Sequence, residues 1–303
     1  MLWPMTLPDL EELIALRGLA QALSAGPRGG ARALAAGAHG SAHRGRGLEF
    51  QEVRLYVAGD DPRSIDWRVT ARRGRPHTKL YREERERPVW LAVDLNPALF
   101  FGTRRQLKSA LVVRAAAVLA WIALLGGDRV GAVIHDGVAA RVLPPRPREA
   151  GVLGLLAALA EMQPRAPGPP ASGSLEAAVR ALAPLVRPGS LVLALSDFAG
   201  LGAAPDPSWA RLGAHSAWRL LWVRDPLEER ALPNGLYRVA VPQSVRILDG
   251  AAVRERWLDA WRARERHVES LATTLRASVT RLETHVAVED ALGAALGRSR
   301  ALG

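Results

Sequence analysis

Two short runs of apolar residues, each followed closely by an aspartate, constrain the fold of this chain more than any other feature. Residues 89–95 read Val-Trp-Leu-Ala-Val-Asp-Leu, and residues 190–195 read Ser-Leu-Val-Leu-Ala-Leu before Ser196 and Asp197. A strand that is apolar on both faces is typical of a parallel sheet covered by helices on both sides. Both runs therefore predict buried strands of one such sheet.

The segments around these two strands alternate between helical and extended patterns. Helical periodicity or helix-start signals occur at residues 9–25, 103–125, 148–162, 174–185 and 253–276. Further strands are predicted at residues 129–134, 138–143, 218–223 and 278–282. This alternation predicts an α/β fold, with a mostly parallel sheet and helices on both faces, over residues 89–303. A small β insertion is expected near residues 225–250.

Residues 1–88 differ in character from the rest of the chain. The predicted helix at 9–25 is followed by a loop at 29–47 rich in Gly, Ala and Arg, and then by strands at 48–57 and 78–82. We therefore predict that residues 1–88 form a separate N-terminal region, consisting of a helix, a loop and a β-rich segment.

A turn rich in charged residues lies between the two N-terminal strands, at residues 59–67. Its charged and aromatic residues, with the arginine that follows, are Asp60, Asp61, Arg63, Asp66, Trp67 and Arg68. Asp, Gly and Pro are turn residues, so we expect local ion pairs with Trp67 as a hydrophobic plug. The alternative is a protein-docking surface that uses arginine and tryptophan as anchors.

Composition and charge limit the possible functions. Cysteine is absent, which excludes disulfides, thiolate metal sites and cysteine nucleophiles. The net charge of +11 is almost entirely due to arginine, since Lys79 and Lys108 are the only lysines. The densest charged run, residues 82–87, alternates in sign, as expected of a self-paired surface rather than a nucleic-acid patch. This pattern argues against nucleic acid as a partner, and an arginine-driven nucleic-acid binder is kept as an alternative function.

The sequence contains little that suggests a membrane protein. Acidic residues stand near the start of the chain, where a secretory signal would carry basic ones. The most apolar stretch, Leu111–Leu125, contains Arg114 and is shorter than the roughly 20 residues that span a bilayer. We therefore expect this stretch to be a buried helix, and the protein to be cytoplasmic without membrane insertion.

Two aspartates are expected to meet at one edge of the predicted sheet. Sites in open parallel sheets form beyond the carboxyl ends of the strands, where Asp94 and Asp197 lie. Asn96 could add an amide oxygen, and Ser172 or Ser174 a hydroxyl, to complete a Mg²⁺ site. Alternatively, such acids cap neighbouring helices, and Ser174 is itself a plausible N-cap. A metal-dependent hydrolase at these carboxylates is a second alternative function.

Several motifs carry a resemblance to a known family. They include Arg-Gly-Arg-Gly-Leu-Glu-Phe at 44–50, Gly-Asp-Asp-Pro-Arg-Ser-Ile-Asp-Trp at 59–67, Ser-Asp-Phe at 196–198 and Asp-Pro-Leu-Glu at 225–228. In these motifs the sequence resembles the bacterial family called domain of unknown function 58. The resemblance implies a von Willebrand factor A-like core from near Val89, preceded by a family-specific β-rich segment.

The resemblance also implies a partner and a degenerate metal site. Such proteins resemble partners of MoxR-type AAA+ ATPases that mature or remodel client proteins. The A-type metal site uses an Asp-x-Ser-x-Ser loop, a threonine and a second aspartate. The positions that match or flank this pattern are Asp94, Asn96, Ser172, Ser174 and Asp197. Ala98 replaces the second serine, so the resemblance implies weak Mg²⁺ affinity or none, and a non-catalytic protein-binding adaptor.

Overall fold

A computed structural model of the chain describes residues 6–25, 48–57, 60–83, 88–202, 206–241 and 244–296. The chain divides into two compact units, a smaller one at Gly40–Glu86 and a larger one that combines Met1–His39 with Arg87–Gly303. The predicted loop at 29–47 lies outside the described residues.

The helices and strands are named here in chain order. They are α1 (Leu10–Ser24), β1 (Leu48–Leu55), α2 (Trp67–Arg73), β2 (His77–Glu83), β3 (Pro88–Asp94), α3 (Lys108–Leu125), β4 (Arg129–His135), β5 (Ala140–Arg146), α4 (Glu149–Met162), α5 (Ser174–Leu182), β6 (Leu191–Ser196), α6 (Pro207–Gly213), β7 (Ala217–Arg224), α7 (Pro226–Arg230), β8 (Leu236–Val241), β9 (Ser244–Asp249), α8 (Gly250–Leu275), β10 (Ser278–Glu283) and α9 (Val288–Ala295).

The larger unit is built on a six-stranded sheet with the order β10-β7-β6-β3-β4-β5. All neighbouring strands are parallel except β5, which is antiparallel to β4. The predicted mostly parallel α/β fold is therefore confirmed. The chain leaves β3 for β4 on one side and later returns to β6 on the other, so the strand order reverses around β3. A crevice is expected at the carboxyl ends of the strands at such a point.

The alternating side chains of β3 enter two separate cores. Val89, Leu91 and Val93 pack into a cluster that includes α1, α3, α4 and α9. Trp90 and Ala92 pack into the opposite cluster, with α5, α6 and α8. Because neighbouring residues of a strand point to opposite faces, this pattern shows that both faces of the sheet are covered.

Helix α1 packs in the larger unit, which differs from the predicted division at residue 88. The indole nitrogen of Trp121 donates to the carbonyl oxygen of Leu13 at 3.1 Å, and the Nε of Arg114 donates to Glu12 at 2.5 Å. Leu13 and Leu23 are buried in the core with α3. The apolar face of α1 needs such a partner, because a helix stripe is stable in water only when it is covered.

Helix α3 is the central helix of the larger unit. By length and composition it could cross a membrane, with a mean hydropathy of 1.8, yet 83% of it is buried inside the fold. The sequence predicts that this helix starts at residue 103, but it begins at Lys108 after Leu107. Thr103 instead donates its backbone N–H and its hydroxyl to Asp225, 122 residues away.

The smaller unit and the insertion are both antiparallel ribbons. In the smaller unit, β1 pairs with β2 across an irregularity between Phe50 and Glu52. In the larger unit, β8 pairs with β9 from Leu236 to Asp249, where the β insertion was predicted.

Candidate functional site at the carboxyl edge of the sheet

Asp94, the last residue of β3, is 3% exposed and surrounded by hydrogen-bond donors. Ser174 and Ser196 each donate a hydroxyl to it at 2.7 Å. The side-chain amide of Asn96 donates to both carboxylate oxygens at 3.0 Å, and its backbone N–H donates at 3.2 Å. Both oxygens of Asp94 are therefore engaged by donors from the protein itself.

The predicted oxygen ligands around Asp94 are oriented differently from a metal site. The amide oxygen of Asn96 accepts the backbone N–H of Ala98 at 3.0 Å, which turns its NH₂ group toward Asp94. Ser174 does not cap α5, because Gly173, in the left-handed region with φ 77°, holds the N-cap position. Ser172 is exposed. Asn96 and Ser174 thus act as hydrogen-bond donors to Asp94.

Asp197 lies directly after β6 and pairs with a buried lysine. Lys108 Nζ donates to Asp197 Oδ2 at 2.6 Å and to Glu228 Oε1 at 2.9 Å. Arg264 Nη1 also donates to Glu228 Oε1, at 3.0 Å. The backbone N–H of Ala199 donates to the other oxygen of Asp197 at 3.0 Å. Two cations and two carboxylates therefore form one network, in which Lys108 and Asp197 are buried and Arg264 is partly buried.

The pKa values of Asp94 and Asp197 are shifted in opposite directions. Burial raises the pKa of Asp94, and the negative charge of Asp197 raises it further, against the hydrogen bonds that favour the carboxylate. Burial would also raise the pKa of Asp197, but the charges of Lys108 and Arg264 outweigh it and the pKa is lowered. The pKa of Lys108 is raised, because Asp197 and Glu228 overcome the effect of burial. Lys108 and Asp197 are thus an ionised pair.

Helix α7 positions Glu228 through a second buried cluster. Asp225 caps α7 in a capping box with Glu228, and it accepts hydroxyl hydrogen bonds from Thr103 and Thr284 at 2.5 Å. The indole nitrogen of Trp257 donates to the Glu228 carbonyl oxygen at 2.9 Å. These contacts join α7, α8 and the loops after β3 and β10 around the Glu228 carboxylate.

A cavity of about 410 Å³ opens next to this network. Its walls are formed by prolines and aromatic rings, including Pro97, Phe100, Pro167 and Trp257. The four charged residues that line it are Lys108, Asp197, Glu228 and Arg264. The crevice at the reversal of strand order is therefore an apolar pocket with a charged, buried network in its lining.

The predicted turn of the smaller unit is held by local contacts. Asp60 pairs with Arg54 at 2.7 Å and accepts the backbone N–H of Val57, which lower its pKa. Asp66 caps α2 by accepting the backbone N–H groups of Arg68 and Val69. The structure thus assigns these two aspartates to the local turn and helix cap.

Trp67 is not the hydrophobic plug that the sequence predicts. It is 69% exposed at the start of α2, a helix in which no residue is buried. Asp61 is also exposed, and the side chain of Arg63 lies outside the described residues. The exposed Trp67 is compatible with the alternative prediction that this turn is a protein-docking surface.

Comparison with known proteins now identifies the family. The family described as protein of unknown function DUF58 matches residues 52–267, more than half of the chain. The chain belongs to the DUF58 family. The resemblance stated from the sequence motifs is therefore confirmed.

The DUF58 chain is similar in sequence to curated mycobacterial proteins. It is 39% identical over 156 residues to the uncharacterized proteins Rv1480 of Mycobacterium tuberculosis and Mb1516 of Mycobacterium bovis. The match covers 52% of this chain and 49% of each relative, so the chain spans about half the length of the curated relatives it matches.

Two solved structures align with this chain at low sequence identity. An aerotolerance-related membrane protein of Bacteroides fragilis is 12% identical, with a TM-score of 0.41, over 70% of this chain and 100% of that one. The SpRpn10 VWA domain is 8% identical, with a TM-score of 0.37, over 71% of this chain and 98% of that one. Nothing about activity or partners follows at these scores.

The residues at the strand ends do not fit the Mg²⁺ ion that A-type domains carry. A hard cation needs several free oxygen ligands. Both oxygens of Asp94 accept internal hydrogen bonds, and Asn96 presents N–H groups to it. The ammonium of Lys108 lies 2.6 Å from Asp197 and would repel a metal there. Within the described ranges, no group of three or more His, Asp or Glu side chains could hold a metal ion.

Sequence reasoning missed the cations of the site. Lys108 and Arg264 belong to helices α3 and α8, and Glu228 to the short α7. One signal was available, since Lys108 is one of only two lysines in an arginine-rich chain and begins a mostly apolar helix.

Proposed function

We propose that this DUF58 protein is a non-catalytic adaptor that binds other proteins. In this proposal it works in the cytoplasm with a MoxR-type AAA+ ATPase, in the maturation or remodelling of client proteins. The strand-end pocket and the turn of the smaller unit are the proposed binding surfaces.

The observation that carries the proposal is the state of the strand-end acids. A general base needs a carboxylate oxygen within reach of a substrate proton, and a metal centre needs free oxygens. Both oxygens of Asp94 accept hydrogen bonds from Asn96, Ser174 and Ser196. The oxygens of Asp197 accept hydrogen bonds from Lys108 and from the backbone N–H of Ala199. These bonds favour a structural role for the acids over a hydrolytic one.

Two surfaces support binding rather than catalysis. The strand-end pocket is walled by proline and aromatic side chains with Arg264 in its lining. Trp67 of the smaller unit stands exposed. Tryptophan and arginine are enriched among the residues that contribute most to protein–protein affinity.

Family membership supports the choice of partner. The DUF58 match covers most of the motifs on which the resemblance to MoxR-associated proteins depends. A cytoplasmic location follows from the partner, because an AAA+ ATPase needs ATP.

Binding to a purified MoxR-type ATPase from the same genome tests the proposal. We expect saturable binding in biolayer interferometry with a non-hydrolysable ATP analogue, and no hydrolysis of ester or phosphate substrates. The variant Trp67→Ala should weaken binding at least about tenfold, as expected of a central tryptophan anchor. Its stability should change by less than about 0.5 kcal/mol, since the side chain is exposed.

A matched control uses another exposed apolar residue. Leu236 of β8 is 75% exposed, and Leu236→Ala should leave ATPase binding unchanged. Absence of saturable binding in every nucleotide state would refute the ATPase partnership. Hydrolysis that disappears in Asp94→Ala would refute the non-catalytic role. Binding to duplex DNA that weakens steeply with salt, without ATPase binding, would favour the nucleic-acid alternative.

A further inference from the structure

The strand-end pocket contains cations whose hydrogen-bonding capacity is not used within the protein. An ammonium has three N–H donors and a guanidinium has five. Lys108 donates to Asp197 and Glu228, and Arg264 donates to Glu228. Within the described part of the chain, these bonds leave one N–H of Lys108 and several of Arg264 for another acceptor.

Each carboxylate oxygen of the same network already accepts at least one hydrogen bond. Asp197 accepts one hydrogen bond at each oxygen, from Lys108 and from Ala199. Glu228 accepts from Lys108 and Arg264 at one oxygen and from the backbone N–H of Asp225 at the other. Every oxygen of the two carboxylates thus has a donor from the protein, whereas Lys108 and Arg264 keep N–H groups for which the described residues show no acceptor. These N–H groups suit the pocket to a hydrogen-bond acceptor.

Burial makes the unused donor of Lys108 significant. The residue is 2% exposed and lines the pocket, with its Nζ 5.5 Å from the ring centroid of Phe101. A buried donor without an acceptor is destabilising, and more so when the group is charged. An anionic group that entered the pocket would satisfy the donor and keep its charge-assisted hydrogen bonds away from water.

The walls of the pocket favour an acidic side chain on a protein over a free anion. Prolines and aromatic rings such as Pro97, Phe100 and Trp257 line it. Apolar walls suit the methylene stem and flanking residues of a glutamate, while the cations bind its carboxylate. The net charge of +11 would also attract an acidic partner during encounter.

We infer that the pocket beside Lys108 and Arg264 receives a glutamate side chain of a partner protein directly, without a bridging metal ion. This inference rests on the proposed protein-binding function and names the chemistry of one of its two surfaces. In this inference Lys108 and Arg264, which both donate to Glu228, form the two halves of the clamp for the partner's carboxylate.

The test uses the full chain and a pair of blocked peptides that differ in one group. The probe is acetyl-Leu-Glu-Leu-amide, and its neutral match is acetyl-Leu-Gln-Leu-amide. Saturation-transfer NMR and calorimetric titration should show the Glu peptide binding at least about tenfold tighter, the value of one charge-assisted hydrogen bond. The affinity should be the same in EDTA and in Mg²⁺.

Two arginines of α8 provide the matched variants. Arg264→Gln should reduce the affinity for the Glu peptide about tenfold and leave the weak binding of the Gln peptide unchanged. Arg262 is an exposed arginine, paired with Asp259, so Arg262→Gln should leave both affinities unchanged. Circular dichroism of each variant shows whether the fold is retained. The double variant Lys108→Met/Asp197→Asn removes the ammonium without leaving Asp197 charged, and it should also lose the preference for Glu.

Four results would overturn the inference. They are equal affinity for the Glu and Gln peptides, unchanged affinity in Arg264→Gln, loss of binding in EDTA, and tight binding of inorganic phosphate without binding of the Glu peptide. If Arg264→Gln still binds the ATPase and the wild-type protein shows no preference for the Glu peptide, only the glutamate-binding role of the pocket is refuted. Peptide selectivity without ATPase binding would refute the ATPase partnership alone.

Discussion

Replacing Lys108 with methionine should be among the most destabilising single substitutions at the site. Methionine preserves the length of the side chain inside α3 but removes its charge. The Lys108 and Asp197 side chains are 3% and 2% exposed, so solvent cannot replace the lost partner. Removing one member of a buried ion pair costs about 3–5 kcal/mol, because the other charge stays buried and uncompensated. Glu228 keeps Arg264, so most of the cost falls on Asp197.

Urea denaturation at pH 7, followed by circular dichroism, measures this cost. The control is Arg141→Met, which breaks an exposed ion pair with Glu161 and should cost less than about 1 kcal/mol. In the double variant Lys108→Met/Asp197→Asn, much of the loss should be recovered, since the uncompensated charge is gone. The reasoning is refuted if Lys108→Met costs no more than Arg141→Met, or if the double variant recovers nothing.

Two further predictions concern the acids and the metal. Because the pKa of Asp94 is raised in the folded protein, its native form binds a proton more tightly than the unfolded chain, and stability falls as pH rises above about 4. Asparagine cannot ionise, so the variant Asp94→Asn should not lose stability in this way. The free energy of unfolding of the variant minus that of wild type should therefore increase from pH 4 to pH 8, and a difference that is constant with pH would contradict this. In thermal unfolding, Mg²⁺, Mn²⁺ or Ca²⁺ should not raise the Tm, whereas a native-state ligand at a hundred times its Kd would add about 2.7 kcal/mol. A rise in Tm that disappears in Asp94→Ala would show that the strand-end oxygens do bind a metal.

Local patterns predicted most of the sheet, because strand burial depends on residues that are neighbours in the chain. Residues 89–95 and 190–195 are apolar on both faces, and they became β3 and β6 at the centre of the sheet. The order of strands around β3 then placed Asp94 and Asp197 at one edge. Short helices were harder to predict, since α6 (Pro207–Gly213) has no periodicity long enough to be recognised.

Local patterns were misleading where a distant residue competed for the same group. Thr103 has the spacing of a helix cap, but Asp225, 122 residues away, accepts its hydrogen bonds. Ser174 also has the chemistry of a cap, but Asp94, 80 residues away, accepts its hydroxyl. In both cases a buried carboxylate is a stronger acceptor than the alternatives available to the isolated helix.

The sequence by itself determined the α/β class, the family and the two aspartates at the sheet edge. Only the tertiary structure decided what those aspartates do, because their partners come from distant helices. Lys108 is 89 residues from Asp197 and 120 from Glu228, and the three meet only when α3, α7 and β6 are packed together. No local pattern reports such a contact, since the energy of a buried ion pair depends on its geometry and on the exclusion of water.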